Sequence, residues 1–213
     1  MTSFKDDLAA VATQVDATMS ALLPSGNVPE AKLFDAMRYA ALGPGKRLRP
    51  YFVVASARLF GVPDAQSIRV AAAVEFVHSY SLVHDDLPAM DDDDLRRGRA
   101  TVHKAFDEAT AILAGDALLP LAFEVLSDEA THPDAIVRCK LITGLAGAIG
   151  ADGMVGGQVL DLEPPSPATY ADVARMERMK TGALFAFSCE AGAALGKAST
   201  DAHTSMRAYA FDM

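Results

Sequence analysis

The sequence predicts an all-α chain folded as a single domain over residues 1–213, and three observations carry that reading. Apolar residues make up 51% of the chain, aromatics only 7%, and alanine is abundant throughout, with no tryptophan. Such small and straight-chain residues favour closely packed helices. Apolar positions recur at spacings of three and four, and no alternating strand pattern interrupts them. At 213 residues the chain is long enough to bury a sizeable core, and it contains no internal repeat or low-complexity linker.

Residues 3–22 place Phe4, Leu8, Val11, Val15, Met19 and Leu22 on one helical face, and the PSGN segment at 24–27 ends the run. A second helix is predicted from Pro29, a suitable first-turn residue, to Leu42. GPGKRLRP at 43–50 carries two Pro and two Gly and reads as a loop. Helices resume at about 51–60 and, after GVPD, at about 64–87, where Pro88 ends the run. The stretch 103–127 is helical with Gly115 and Pro120 as points for a kink or early end. Another helix is expected at about 133–150, followed by Gly-rich ADGMVGGQ, then PPSPAT at 164–169 as a break. Residues 170–196 are helical again. A last helix starts after Ser199 with Asp201 early and Met206, Tyr209, Phe211 and Met213 as apolar positions, and it meets no stop signal.

The net charge of −9 argues against a nucleic-acid surface. Basic residues nevertheless gather at Lys46, Arg47 and Arg49 and again at Arg96, Arg97, Arg99 and Lys104, which suits a small anionic ligand. The N-terminus carries acidic residues and no long apolar core, unlike a secretory signal. No stretch is expected to span a membrane. Cys139 and Cys189 have no metal-site spacing and read as small buried hydrophobes in a reducing compartment. A cytoplasmic protein is the expectation.

Six aspartates lie between Asp85 and Asp94, followed by Arg96 and Arg97, at the end of the apolar segment AAAVEFVHSYSLV. Charge runs are ordinarily solvated loops flanked by polar sequence; here the carboxylates end an apolar helix. A calcium loop fits poorly, because counting from Asp85 the required Gly and Glu positions hold Met90 and Arg96. Mg²⁺ takes one or two carboxylates plus water and phosphate oxygens. Carboxylates, guanidiniums and an adjoining apolar cavity therefore suit Mg²⁺ holding a diphosphate attached to a hydrocarbon. Spacings of three, four and seven put His78, Ser81, Leu82 and Asp85 on one face. The Leu87–Met90 turn can swing Asp91 back toward Asp85. Tyr80, roughly 7.5 Å down the helix from Asp85, could floor a cavity, though an ordinary core aromatic is the stronger reading of that residue by itself.

GKRLRP at 45–50, HSYSLVHDDLPAMDDDDLRRG at 78–98, AGDALL at 114–119, GGQVLDL at 156–162 and KTGALF at 180–185 together resemble the trans-isoprenyl diphosphate synthases, nearest to bacterial farnesyl diphosphate synthases. The resemblance implies an isoprenoid-synthase-type helical bundle around a central hydrophobic cleft, usually homodimeric. It implies a prenyltransferase condensing an allylic diphosphate with isopentenyl diphosphate. It places Asp85, Asp86 and Asp91 on Mg²⁺, with Mn²⁺ as an alternative, and Asp161 beside the metal region. By the same resemblance Arg96, Lys180, Thr181 and Gln158 hold the allylic diphosphate, Lys180 acting in catalysis, while Lys46, Arg49, His78 and Arg97 hold isopentenyl diphosphate. The insertion Pro88-Ala89, with Tyr80 and Ser81, points to a fifteen-carbon product; geranyl and geranylgeranyl diphosphate are the alternatives.

Family members carry a second aspartate-rich motif beyond the helix that here begins near Ser199, and the sequence stops before it. The fold is therefore expected to be C-terminally incomplete and the chain alone weak or inactive. A terpene cyclase would ionise without coupling and would have little use for Lys46, Arg49 and Arg97. A non-catalytic partner subunit would be expected to lack the metal aspartates, which are present.

Overall fold

The computed structural model describes residues 3–212 as eleven helices and one short hairpin. The helices are α1 Phe4–Leu22, α2 Ala31–Ala41, α3 Leu48–Leu59, α4 Asp64–Asp85, α5 Val102–Ala105, α6 Glu108–Ser127, α7 Ala135–Ile149, α8 Met154–Leu162, α9 Tyr170–Glu177, α10 Ala183–Leu195 and α11 Thr200–Asp212. A π-helical turn, Arg178–Gly182, joins α9 to α10. Met213, expected as the last apolar position of the final helix, lies outside the described residues.

Helix α4 forms the axis of the bundle. Val70 to Val77 are all buried, which happens only when neighbours cover a helix on every side. Those neighbours are α1, α2, α3, α6 and α10. Small residues permit the close approach. A Cβ on Gly192 of α10 would lie 2.3 Å from the Ala57 backbone nitrogen of α3, so only glycine fits there. Side-chain oxygens close several helix starts: Ser3 accepts from the Asp6 N–H, Asp107 from Thr110 and Asp134 from Ile136.

Several sequence-based boundaries shift for local reasons. Helix α3 starts at Leu48, inside the expected loop, with Pro50 in its first turn, where a missing N–H costs nothing. Residues 103–127 divide at Phe106-Asp107, because the Asp107 carboxylate caps a new helix. Pro120 lies within α6 without ending it. The Gly-rich segment is partly helix α8, and Leu95–Arg96 pairs with Arg99–Ala100 as a two-residue antiparallel hairpin that no alternation announced.

Helix α6 is long and apolar enough to cross a membrane by length and composition, contrary to the expectation that no stretch was. Its apolar residues are accounted for in part by the core: Ala111, Ala114, Leu118, Ala122, Val125 and Leu126 are buried, and α4 packs along it. Cys189 is buried and its thiol is pushed up to about 11 by desolvation, so it is inert packing. Cys139 instead lies exposed on α7, not in the core.

Candidate active site

The last turns of α4 deliver the acidic segment to a cleft mouth. Pro88 has no N–H to extend the helix, and the chain folds into a turn in which Met90 N–H donates to Leu87 O at 2.8 Å. Asp91 N–H then returns to Asp85 O at 2.9 Å. The turn therefore brings Asp91 back beside Asp85, an arrangement the sequence allowed. Burial raises the proton affinity of Asp85; Lys180 opposes that rise and the charge of Asp91 adds to it.

Asp86, one residue on, is rotated to the other side of α4. It is buried, and Arg96 binds it at 2.5 Å while also reaching Asp93 at 3.2 Å. The two residues expected to serve the metal and the allylic group, Asp86 and Arg96, thus satisfy each other. They lie behind the Asp85 face, although Arg96 remains near enough to stabilise the Asp85 charge.

The opposite wall is α8 and the π-helical turn. A Cβ on Gly157 would fall 2.2 Å from the Lys180 backbone nitrogen, so the glycine lets α8 dock directly against the turn. That docking sets Gln158, Asp161 and Lys180 together. The Gln158 amide donates to Asp85; Lys180 pairs with Asp161 at 2.5 Å and approaches Asp85 at 3.8 Å. π-Helical turns distort the regular ladder and recur at functional sites. Asp85, Gln158, Lys180, Thr181, His78, Tyr80, Ser81 and Leu82 line one cleft of about 450 Å³, whose apolar wall is Met154, Val155, Val159 and Leu162. The face predicted from the spacing of His78, Ser81, Leu82 and Asp85 is the one that lines it.

A second cavity, of about 490 Å³, brings together Lys46, Arg49, His78 and Arg97. Arg49 and His78 wall both cavities. Arg49 lies 3.3 Å from His78 Nε2 and stacks 4.4 Å above the Phe185 ring. Burial, then the neighbouring guanidiniums, hold the His78 pKa well below the usual imidazole value, so the ring is neutral and Nε2 accepts from Arg49. The Arg49 Nε is buried without a partner among the described residues. Arg47, between Lys46 and Arg49 in sequence, also borders this cavity, together with Glu75, but its charge is already paired. Its left-handed backbone (φ 52°) turns it inward to Glu75 at 2.8 Å and Asp16 at 2.7 Å.

Tyr80 is half-buried at the cleft, edge-on to His84 at 5.4 Å, and Ser81 donates to the His78 carbonyl. Sequence reasoning passed over His84 and the α8 apolar wall. It also passed over Glu75, whose signal was present: a lone acid in AAAVEFV must find a buried cation. Among the described residues no three His, Cys, Asp or Glu side chains converge as a metal cage. Asp85 with Asp91 beside it nevertheless fits a hard cation completed by phosphate oxygens and water, since both offer oxygen donors whose mutual repulsion a cation would relieve.

A model of the polyprenyl synthetase family matches residues 30–213. The chain belongs to the polyprenyl synthetase family. Among its relatives, the farnesyl diphosphate synthase of Escherichia coli (strain K12) is 48% identical over 196 residues, covering 89% of this chain and 64% of that protein. The large subunit 1 of a chloroplastic heterodimeric geranylgeranyl pyrophosphate synthase of Arabidopsis thaliana is 42% identical, covering 84% and 50%. The crystal structure of an FPP/GFPP synthase from Zymomonas mobilis superposes with a TM-score of 0.93 at 51% identity, covering 96% of this chain and 75% of that one. This polyprenyl synthetase chain spans roughly half to two thirds of the length of these curated relatives.

Proposed function

We propose that the protein is a prenyltransferase that joins an allylic diphosphate, dimethylallyl or geranyl, head to tail to isopentenyl diphosphate. The observation that carries this reading is the pair of cavities separated by Arg49 and His78: one acidic at its mouth and apolar along its wall, the other basic. Lys180, Thr181 and Gln158 bind the allylic diphosphate beside Asp85 and Asp91, and Lys46, Arg49, His78 and Arg97 bind the second diphosphate. Bound Mg²⁺, held by Asp85 and Asp91, supplies positive charge to the leaving group. Asp86 serves indirectly, by fixing Arg96.

As the allylic C–O bond breaks, Lys180 stabilises the charge gathering on the departing pyrophosphate. The double bond of isopentenyl diphosphate attacks the allylic carbon, and the proton lost afterwards goes to that pyrophosphate. The wall of Met154, Val155, Val159 and Leu162 keeps water from the cation. The relatives' names favour farnesyl diphosphate as product, with geranylgeranyl diphosphate as the longer alternative. The reading includes a homodimer in the cytoplasm, consistent with unpaired cysteines and with exposed Ile112 and Leu113 on α6.

The test is incubation with dimethylallyl and isopentenyl diphosphates and Mg²⁺, followed by chromatography of the dephosphorylated products. Fifteen-carbon alcohol is expected, and Asp85→Asn should lower turnover at least ~100-fold, in the range for loss of a group aimed at transition-state charge. Absence of any condensed product from this chain and also from a form extended at its C-terminus to the length of the relatives would reject the proposal. Tyr80→Ala should lengthen the product by one or more five-carbon units; an unchanged spectrum would remove Tyr80 from length control.

A further inference from the structure

Two arginines of the basic cavity keep their charge by different means. Arg47 is neutralised by Glu75 and Asp16. Arg49 forms no ion pair among the described residues; its side chain reaches only His78 Nε2, and its Nε reaches nothing. Burial works against its charge, Glu75 offsets part of that cost from a distance, and Arg97 adds to it. A cation so placed needs some other support, or its long side chain has no fixed position.

That support is an aromatic ring. Arg49 Cζ lies 4.4 Å from the centroid of Phe185, well inside the roughly 6 Å over which a ring face attracts a cation. Phe185 comes from α10, is half-buried, and borders the same cavity. Its ring is braced from the side of α3. Arg49 and Phe52 stand three residues apart on one face of that helix, and both meet Phe185. Phe52 packs edge-on to Phe185 at 5.9 Å and 71°, and Tyr51 packs edge-on to Phe52 at 5.9 Å. Tyr51 is itself tied to α1 by the Phe4 ring at 5.3 Å and by donating to Asp7 at 3.2 Å.

We propose that Phe185 is a positioning residue for Arg49, holding the guanidinium plane by its ring face while the N–H edge is kept for a diphosphate. The inference rests on the assignment of the basic cavity to isopentenyl diphosphate. The chemistry explains why a ring and not a carboxylate does this work. A carboxylate would take up the N–H fork that phosphate oxygens need, as Glu75 and Asp16 take up that of Arg47. A ring attracts the cation through its face and leaves the fork available. A guanidinium already fixed in its plane also loses less freedom when the ligand arrives.

Calorimetric titration with isopentenyl diphosphate alone tests this without turnover, in this chain and in a form extended at its C-terminus to the length of the relatives. Phe185→Leu is expected to weaken binding about tenfold, in the range of a desolvated cation–ring contact. Phe185→Tyr, which keeps a ring face, should stay within about twofold of the parent. Thermal melts accompany each variant, and Phe185→Met, nearer in volume, replaces the leucine variant if that one melts early. Packing alone would be served by leucine or methionine, so the rescue by tyrosine separates the two roles. Affinity indifferent to loss of the ring, or a tyrosine variant as weak as the leucine variant, would overturn the proposal. So would an equal loss of affinity for geranyl thiolodiphosphate with Mg²⁺, which would mark general damage to the wall between the cavities. Absence of isopentenyl diphosphate binding to the parent in both forms would overturn the assignment of the basic cavity itself, and this inference with it.

Discussion

Arg47 and Arg49 are two residues apart and do unrelated work. Arg49 is left partly unsatisfied between the two cavities, whereas Arg47 is only 5% exposed and fully engaged by Glu75, Asp16 and the carbonyls of Ala41 and Gly43. The Arg47–Glu75 pair fixes the loop that presents Lys46 and Arg49. Removing one member leaves a buried charge without compensation, which costs about 3–5 kcal/mol. Arg47→Met is therefore expected to lower the unfolding free energy by that amount in urea titrations. Adding Glu75→Met should recover a large part of it, because two apolar groups need no partner. A single variant as stable as the parent would remove the pair from its anchoring role. The distinction between the two arginines was not legible in GKRLRP, since it depends on a left-handed backbone at Arg47. The role of Asp86 was not legible either: helical phase alone turns it about 100° from Asp85, but its pairing with Arg96 depends on the Leu95–Ala100 hairpin, which no alternation announced. The shared face of His78, Ser81, Leu82 and Asp85 was legible, because helical phase alone dictates it.

At the scale of elements, the site depends on how closely α8 approaches the π-helical turn. Gly156 and Gly157 each weaken a helix by about 1 kcal/mol relative to alanine, so local propensity alone does not announce α8. The helix survives because Gly157 exchanges propensity for contact with the Met179–Lys180 backbone, and Gly156 for close approach to the Ala151 backbone and the Met179 side chain, a tertiary gain that local sequence cannot reveal. Gly157→Ala should push α8 away by the bulk of one methyl against backbone that cannot rotate aside. A destabilisation of about 1–3 kcal/mol is expected from such overpacking. The larger effect should be functional. Gln158 and Asp161 would lose register with Asp85 and Lys180, and misplacement by about 1 Å can cost ~100-fold in rate. Turnover and urea unfolding measured on the same variant separate the two effects. Parental turnover in the alanine variant would mean that the α8–Lys180 spacing does not set the chemistry.

At the scale of the whole molecule, α6 needs a reason to be so apolar. Half of the explanation is α4, against which it buries Ala111, Ala114, Leu118 and Ala122. Ile112 and Leu113 point the other way, 44% and 54% exposed, and Pro120 is exposed on the same helix. In the proposed homodimer a second copy would cover the exposed apolar residues of this outer face. The same helix holds His84 against the Ile112 carbonyl at 3.0 Å, so whatever covers its outer face also stiffens the helix end that carries Asp85. Leu113→Glu tests this directly. Its side chain is already half in water, so monomer stability should change by no more than about 0.5 kcal/mol. Losing a central apolar contact and burying a carboxylate should cost association about 2 kcal/mol or more, weakening the dimer at least ~30-fold. Sedimentation equilibrium should find the parent as a dimer and the variant as a monomer at micromolar concentration, with matching thermal melts at high dilution. A monomeric parent, or a variant that still dimerises with parental affinity, would assign the outer face of α6 to some other contact.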